Sequence, residues 1–404
     1  KKHLHKNYAI MLAEVIIMDN KEKAMKCHRE WRGKLEIKSR AATETAEDLA
    51  LAYTPGVAEA CLAIKDNPEE AYNLTRKWNF VAVVTDGTAV LGLGDIGGQA
   101  GMPVMEGKSI LFKNFGDVDA FPICLNTKDT EEIIKTVKYL EPTFGGINLE
   151  DIAAPKCFEI ENRLSEELDI PVFHDDQHGT AIVVLAGVLN ALKLVGKKME
   201  DVRIVMSGAG AAGMAIRNLL VLEGAKDVIF VGRKGIIGAD YYEDEYRKNI
   251  LKECNPHKIE GGMAEALNGA DIFIGVSGPG IVTEEMVRNM NKDAIVLAMA
   301  NPVPEIYPDE AKRAGARVVG TGRSDFPNQV NNVSVFPGLF RGALDVRAKK
   351  ITDNMKLAAA RAIADAVETL DEDNILPHAF DLSVSKKVAE AVAEAARKDG
   401  VARI

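Results

Sequence analysis

Residues 173–180 read FHDDQHGT: Asp175 and Asp176 stand between His174 and His178 and lead into a long apolar run. A second acidic pair, Glu150 and Asp151, lies in FGGINLEDIAAPK near a strand end. Carboxylate oxygens are hard ligands, so Glu150, Asp151 and Asp176 would offer three of them to Mg²⁺ or Mn²⁺, leaving positions for water and substrate. Adjacent aspartates on an extended strand point to opposite faces and cannot share one ion unless the chain turns, and Gly179 suggests that it does. Two alternatives stay open. His174 and His178 have the i, i+4 spacing of a zinc pair, although they straddle the expected strand–helix junction and no third His or Cys is near. In the plainest alternative, Asp176 and His178 merely cap the helix.

The pattern GxGxxG occurs twice, as GLGDIG (92–97) and GAGAAG (208–213). Pyrophosphate binding needs a strand, a tight glycine turn and a helix whose N-terminal N–H groups meet the phosphates. The second copy follows VRIVMS and opens the amphipathic MAIRNLLVLEG, so Gly208, Gly210 and Gly213 are the expected dinucleotide site. The first is followed by GQAGMPVMEG, too rich in Gly and Pro for a helix, and is expected to be a tight turn near a ligand. After the next strand, DVIFV, the position that binds a ribose 2′-hydroxyl in NAD-preferring folds is Gly232, followed by Arg233 and Lys234. An arginine there can accept a 2′-phosphate, which leans the choice to NADP over NAD, unless GRKG is only a solvated turn.

Short β-branched runs alternating with longer helical patterns must position these groups, and that alternation predicts α/β layers on parallel sheet. Expected strands are 80–86, 119–125, 170–174, 202–207, 227–231, 271–276, 294–299 and 317–321. The segment 179–196 reads as a buried helix near a domain boundary, ending at Gly196. From about residue 352 the chain is Ala-rich with helical periodicity, as expected of closing helices.

The 404 residues, 47% hydrophobic and 27% charged, can bury two or three domains. A net charge of −10 and a pI of about 5.4, with no basic stripe, argue against a nucleic-acid partner. Cys27, Cys61, Cys124, Cys157 and Cys254 form no CxxC pair, which fits a reducing, cytoplasmic setting. The first 18 residues briefly resemble a signal peptide, but Glu14 interrupts the apolar run and no small-residue cleavage site follows. No uninterrupted apolar stretch reaches the roughly 18–20 residues of a membrane span.

The chain resembles the malic enzymes of the short prokaryotic type. The resemblance runs from about residue 25 to the C-terminus, on AYTPGVAEAC (52–61), VTDGTAVLGLGDIGG (84–98), GMPVMEGKSILFK (101–113), FGGINLEDIAAPKCFEI (144–160), FHDDQHGTAIVVLAG (173–187), GAGAAG, LAMANPVPEI (297–306) and TGRSDFPNQVNNVSVFPG (321–338). It implies an N-terminal α/β substrate domain (21–175), a Rossmann-type doubly wound dinucleotide-binding domain (176–345) and C-terminal helices (346–404), with 1–20 uncovered. It implies oxidative decarboxylation of L-malate to pyruvate by a homodimer. Lys108 matches the general base for the C2 hydroxyl and Tyr53 the general acid toward the enol. Glu150, Asp151 and Asp176 match the metal ligands, and Asp175 the aspartate that supports the lysine. Asn301 and Asn332 match asparagines that bind substrate near the nicotinamide. A lysine acts as base only if its pKa falls, whereas an unperturbed tyrosine, near about 10, is a proton donor at neutral pH. Lys113, five residues after Lys108, sits roughly 140° around any helix and cannot share its task.

Two positions depart from the family pattern. Ala89 stands where larger malic enzymes have a carboxylate-binding arginine, and Gly232 where short relatives often have Asp. Rival activities are malolactic conversion of malate to lactate at the same site, oxaloacetate decarboxylation without redox, and nucleotide sensing without catalysis.

Overall fold

The computed structural model describes residues 21–90 and 92–404. Helices α1 (Ala46–Ala52) and α2 (Val57–Asp66) precede a first parallel sheet and bury no side chain. That sheet has the order β2-β1-β3-β4, formed by β1 (Phe80–Thr85), β2 (Asp119–Cys124), β3 (Gly146–Leu149) and β4 (Val172–His174). Val81 pairs with Ala120 on one side and Gly146 on the other, and Ile147 with Val172, so β1 and β3 are interior strands. Both faces are covered by the connecting helices, α3 (Gly98–Gly116), α4 (Thr130–Leu140) and α5 (Lys156–Glu167), which is why the interior strands are almost wholly apolar.

From the end of β4 the chain turns directly into α6 (Asp175–Val195), which closes on the left-handed Gly196. Its length and hydropathy would suffice for a membrane span, but its apolar side chains are packed inside the molecule. It lies against α7 (Ala211–Leu222) of a second sheet. That sheet has the order β10-β9-β8-β5-β6-β7, from β5 (Arg203–Ser207), β6 (Asp227–Gly232), β7 (Gly235–Ile236), β8 (Ile272–Gly275), β9 (Ile295–Ala298) and β10 (Val318–Thr321). Only β7 is antiparallel. Strand order reverses beside β5, the switch point where open α/β sheets bind ligands. Helix α8 (Glu245–Lys252) follows β7. Helix α11 (Leu382–Lys398) packs on both α9 (Phe336–Asp345) and α10 (Asp353–Asp365), while α9 also packs on α3 and α10 on α6. One apolar core runs through both sheets.

All eight expected strands form, with ends shifted by a residue or two. Three expectations need correction. Helix α6 starts at Asp175, not Gly179: His174 is extended and both aspartates sit in the first turn, where negative charge meets the helix dipole. Residues 98–116 form a helix despite Gly98, Gly101 and Pro103. The glycines serve packing: a Cβ on Gly98 would lie 2.5 Å from the Leu125 carbonyl oxygen. Strand β3 is not among the eight expected strands, although the acidic pair was placed near a strand end; it is four residues that begin with Gly.

Candidate active site

Lys108 sits mid-way along α3, and burial alone would force its ammonium to neutrality. Its Nζ lies 2.5 Å from Asp175 Oδ2, at the first residue of α6, and 2.9 Å from Glu150 Oε1, just after β3. Burial lowers the Lys108 pKa, but these two carboxylates outweigh it and hold the group above its ordinary value. Asn332 Nδ2 also donates to Asp175 Oδ2, and Lys108 Nζ stands 4.2 Å from the Phe336 ring centre. Gly179, one turn after Asp175, leaves room for that carboxylate: a Cβ there would overlap Asp175 Oδ1. Lys113, as its spacing predicts, points elsewhere, to Asp117 and Asp119.

Glu150, Asp151 and Asp176 each offer an oxygen within 4.8 Å of the others. Burial raises the Glu150 pKa to about 7, opposed by Lys108 and helped by Asp176. Burial, then repulsion from Asp176 and Glu150, raises that of Asp151; burial also raises Asp176, with Lys108 opposing. Asp151 has φ 53°, an uncommon left-handed backbone, and its Oδ2 is buried without a partner among the described residues. Its N–H donates to Asp176 Oδ2 at 2.7 Å, and its carbonyl accepts from Ala89 N–H at 2.9 Å. Crowded buried carboxylates with an orphaned oxygen fit a hard divalent cation.

Neither His174 nor His178 belongs to this group. His174 is fully buried, with its Nε2 3.5 Å from Asp176 Oδ2, and burial pushes its pKa to about 4. His178 Nε2 meets Glu161 Oε2 at 2.9 Å instead. Neither Asp176 nor His178 caps α6, whose N-cap is His174 with no side-chain bond.

The glycines of the second motif link β5 to α7. Gly208 has φ 100°, and a Cβ on Gly213 would overlap the Gly208 carbonyl, so the turn and close helix–strand approach both require glycine. The first motif also precedes a helix, and Gly92, Gly94 and Gly97 all have positive φ. Arg233 is exposed at the end of β6, and Asn301 is exposed in the loop after β9, its Nδ2 near Gly322. Tyr53 is not brought to the cluster: it ends α1, is 67% exposed and bonds to none of these side chains.

Two structural carboxylates had escaped notice. Glu161 accepts from His174 N–H (3.0 Å), Gln177 Nε2 (2.8 Å) and His178, fixing the turn that presents Asp175 and Asp176. Burial opposes its ionisation, but His178 leads the groups that bring its pKa down to about 2. A charged residue on the apolar face of α5, beside Cys157, Ile160 and Leu164, was the available signal. Glu305, fully buried, accepts from Ser277 N–H and Ala300 N–H, both at 3.0 Å, and so ties together the loops after β8 and β9.

Fold and site together define an α/β dinucleotide-binding protein with a buried lysine–carboxylate centre at the junction of its two sheets. Residues 32–165 match the family model Malic enzyme, N-terminal domain, and residues 177–397 match Malic enzyme, NAD binding domain. The chain belongs to the malic enzyme family. It is 58% identical to the NAD-dependent malic enzyme of Geobacillus stearothermophilus, over 92% of this chain and 78% of that protein. It is 56% identical to the bifunctional malic/malolactic enzyme of Bacillus subtilis, over 96% and 95%. The crystal structure of malic enzyme from Pyrococcus horikoshii Ot3 superposes with a TM-score of 0.91 at 52% identity, covering 95% of this chain and 92% of that one.

Proposed function

We propose that the chain is an oxidoreductase that converts L-malate to pyruvate and CO₂ while reducing NAD(P)⁺. The observation that carries this is the contact of Lys108 Nζ with Asp175 and Glu150 at the rim of the three-carboxylate cluster. The expectation of a lowered Lys108 pKa is not met in the free site, so Lys108 accepts the proton of the C2 hydroxyl only in its neutral form, once the hold of Asp175 and Glu150 is relieved, and Asp175, steadied by Asn332, positions it. Glu150, Asp151 and Asp176 would hold Mg²⁺ or Mn²⁺. A cation held there would supply Lewis-acid polarisation and positive charge that offsets the hold of Glu150 on Lys108. Gly208, Gly210 and Gly213 seat the dinucleotide, whose nicotinamide accepts the hydride. Asn301 and Asn332 contact malate, and Tyr53 protonates the enol left by CO₂ loss. The Tyr53 role rests on family resemblance alone.

Incubation with malate, Mn²⁺ and oxidised nucleotide should give pyruvate and reduced nucleotide in equal amounts. Lactate without net reduction would replace this with malolactic conversion, a second activity that the Bacillus subtilis relative's name favours. Absence of all three products would sink both.

For the nucleotide, Gly232 leaves the end of β6 without a carboxylate and Arg233 is exposed beside it, which leans toward NADP. The relatives lend that lean no support, since the one at 58% identity is named NAD-dependent. The ratio of kcat/KM for the two nucleotides decides, with Arg233→Ala narrowing any NADP advantage. As to assembly, the exposed Leu49, Leu51, Tyr53 and Leu62 on α1 and α2 and between them favour a homodimer. Five free cysteines favour a cytoplasmic setting.

A further inference from the structure

Behind the catalytic cluster, on the far side of the α6 N-terminus, a cavity of about 450 Å³ opens between α5, α6, α7, α8 and α10. Its walls include Phe158 and Tyr246, stacked with centroids 4.3 Å apart, and the two cations Arg217 and Lys356. Arg217 projects from the dinucleotide-motif helix α7 and is only 6% exposed. One guanidinium nitrogen, Nη2, meets Glu253 at 2.7 Å, and Nη1 meets Asn218 Oδ1 at 3.3 Å. Its Nε–H is buried with no oxygen or nitrogen partner among the described residues. The neighbouring Cys254 thiol, a weak acceptor, is at best its partner. A buried guanidinium held by so weak an acceptor is costly, and the cavity that Arg217 lines brings an anion within reach of its charge.

Lys356, on α10, lies across the cavity with its side chain 13% exposed. Its one close carboxylate among the described residues is Asp353 at 3.2 Å, and its charge reaches Glu161 and His178. Glu161 is already saturated by His174 N–H, Gln177 and His178, so an anion entering between the two cations competes with Glu253 and Asp353 rather than with Glu161.

We propose that this cavity binds a small oxyanion, a carboxylate or a phosphate, between Arg217 and Lys356, and that occupancy regulates the catalytic site. The coupling route is contiguous. An anion that draws Lys356 away from Glu161 changes the field on the carboxylate that fixes the His174–His178 turn, and that turn presents Asp175 and Asp176. At about 450 Å³ the cavity lies in the lower part of the roughly 300–1,000 Å³ range of small-molecule sites, so it has room for an oxyanion on a short carbon chain. The regulatory half rests on the proposed malate chemistry, whereas the binding half does not.

The experiment uses inorganic phosphate and glutarate in separate arms, at matched ionic strength, on the full chain. In melting measurements without malate, at least one anion should stabilise the unmutated protein, and the effective arm identifies the class of oxyanion. The same anion should change the malate KM about fivefold. Both effects should vanish in Arg217→Met and in Lys356→Gln, whose anion-free kcat stays at the unmutated level. Lys356→Gln lies at the cavity rim and guards against a folding defect in the more buried Arg217 variant. Stabilisation that persists in both variants, or no stabilisation by either anion, overturns the site. Stabilisation lost in the variants but without any change in malate KM overturns the regulation. If the chain turns over no malate yet the melting pattern holds, the proposed reaction fails and the binding site stands.

Discussion

Lys108 is the residue on which most of the chemistry converges, and its removal separates chemistry from folding. Lys108→Ala should lower kcat by about 10²–10⁴-fold, the usual scale for a lost general base. Mn²⁺ should still bind, because Glu150, Asp151 and Asp176 remain; a variant turning over malate at the unmutated rate would remove Lys108 from the mechanism. Glu161 gives a test by pH. Its pKa falls from 4.5 to about 2 in the folded chain, so its ionised form stabilises the fold above pH 4.5. That stabilisation is lost as pH drops from 4.5 toward 2, and its scale is about 3 kcal/mol. Glu161→Gln should therefore melt lower at neutral pH and show a flatter acid dependence, read from denaturant midpoints between these pH values. An unchanged acid slope would show that Glu161 carries no such linkage. The family match pointed to Lys108, Asp175 and the three carboxylates, whereas Glu161 lay hidden because its partners are a backbone N–H and two side chains 13 to 17 residues away.

At the scale of elements, strands were legible because buried parallel strands are written as uninterrupted β-branched runs. Helix α3 was not, because its glycines answer to tertiary contact rather than to local propensity. Gly98 must clear the Leu125 backbone, and Gly116 the Pro337 carbonyl at 2.7 Å, neither of which a local pattern can reveal. The start of α6 was misplaced for a related cause: the first turn is held by Glu161 from another helix, not by a cap in its own sequence. Two glycines in the same region should consequently fail in different ways. Gly98→Ala pushes α3, and with it Lys108, off β2, at a cost of about 1–3 kcal/mol and a loss of kcat. Gly94→Ala meets no atom within 4 Å but must hold φ 72°, so it should cost about 1–2 kcal/mol from backbone strain alone. Equal kcat losses in the two variants, measured at matched folded fraction, would refute the packing account of Gly98.

For the whole molecule, the two sheets share one core, yet the N-terminal helices take little part in it. Helices α1 and α2 bury no side chain, and Leu51 is 71% exposed, Leu49 and Leu62 each 51%. Met25, Trp31 and Ile37 add further exposed apolar surface upstream. Scattered single apolar residues are ordinary on a protein surface, but a run of them along consecutive helices with no buried face is the mark of an interface. A stable pair needs about 800 Å² covered on each partner, a scale that two helices and their flanks can supply. The protein should therefore sediment at twice its 43.8 kDa chain mass at micromolar concentration. Leu51→Glu, at an exposed position away from the Lys108 cluster, should shift it toward the single-chain mass. Because Tyr53 lies on this same surface, the variant should lose kcat as it dissociates, in proportion to the monomer fraction at each protein concentration. Sedimentation of the unmutated protein as a fully active single chain would remove the interface and leave Tyr53 without a supporting surface for its proposed role.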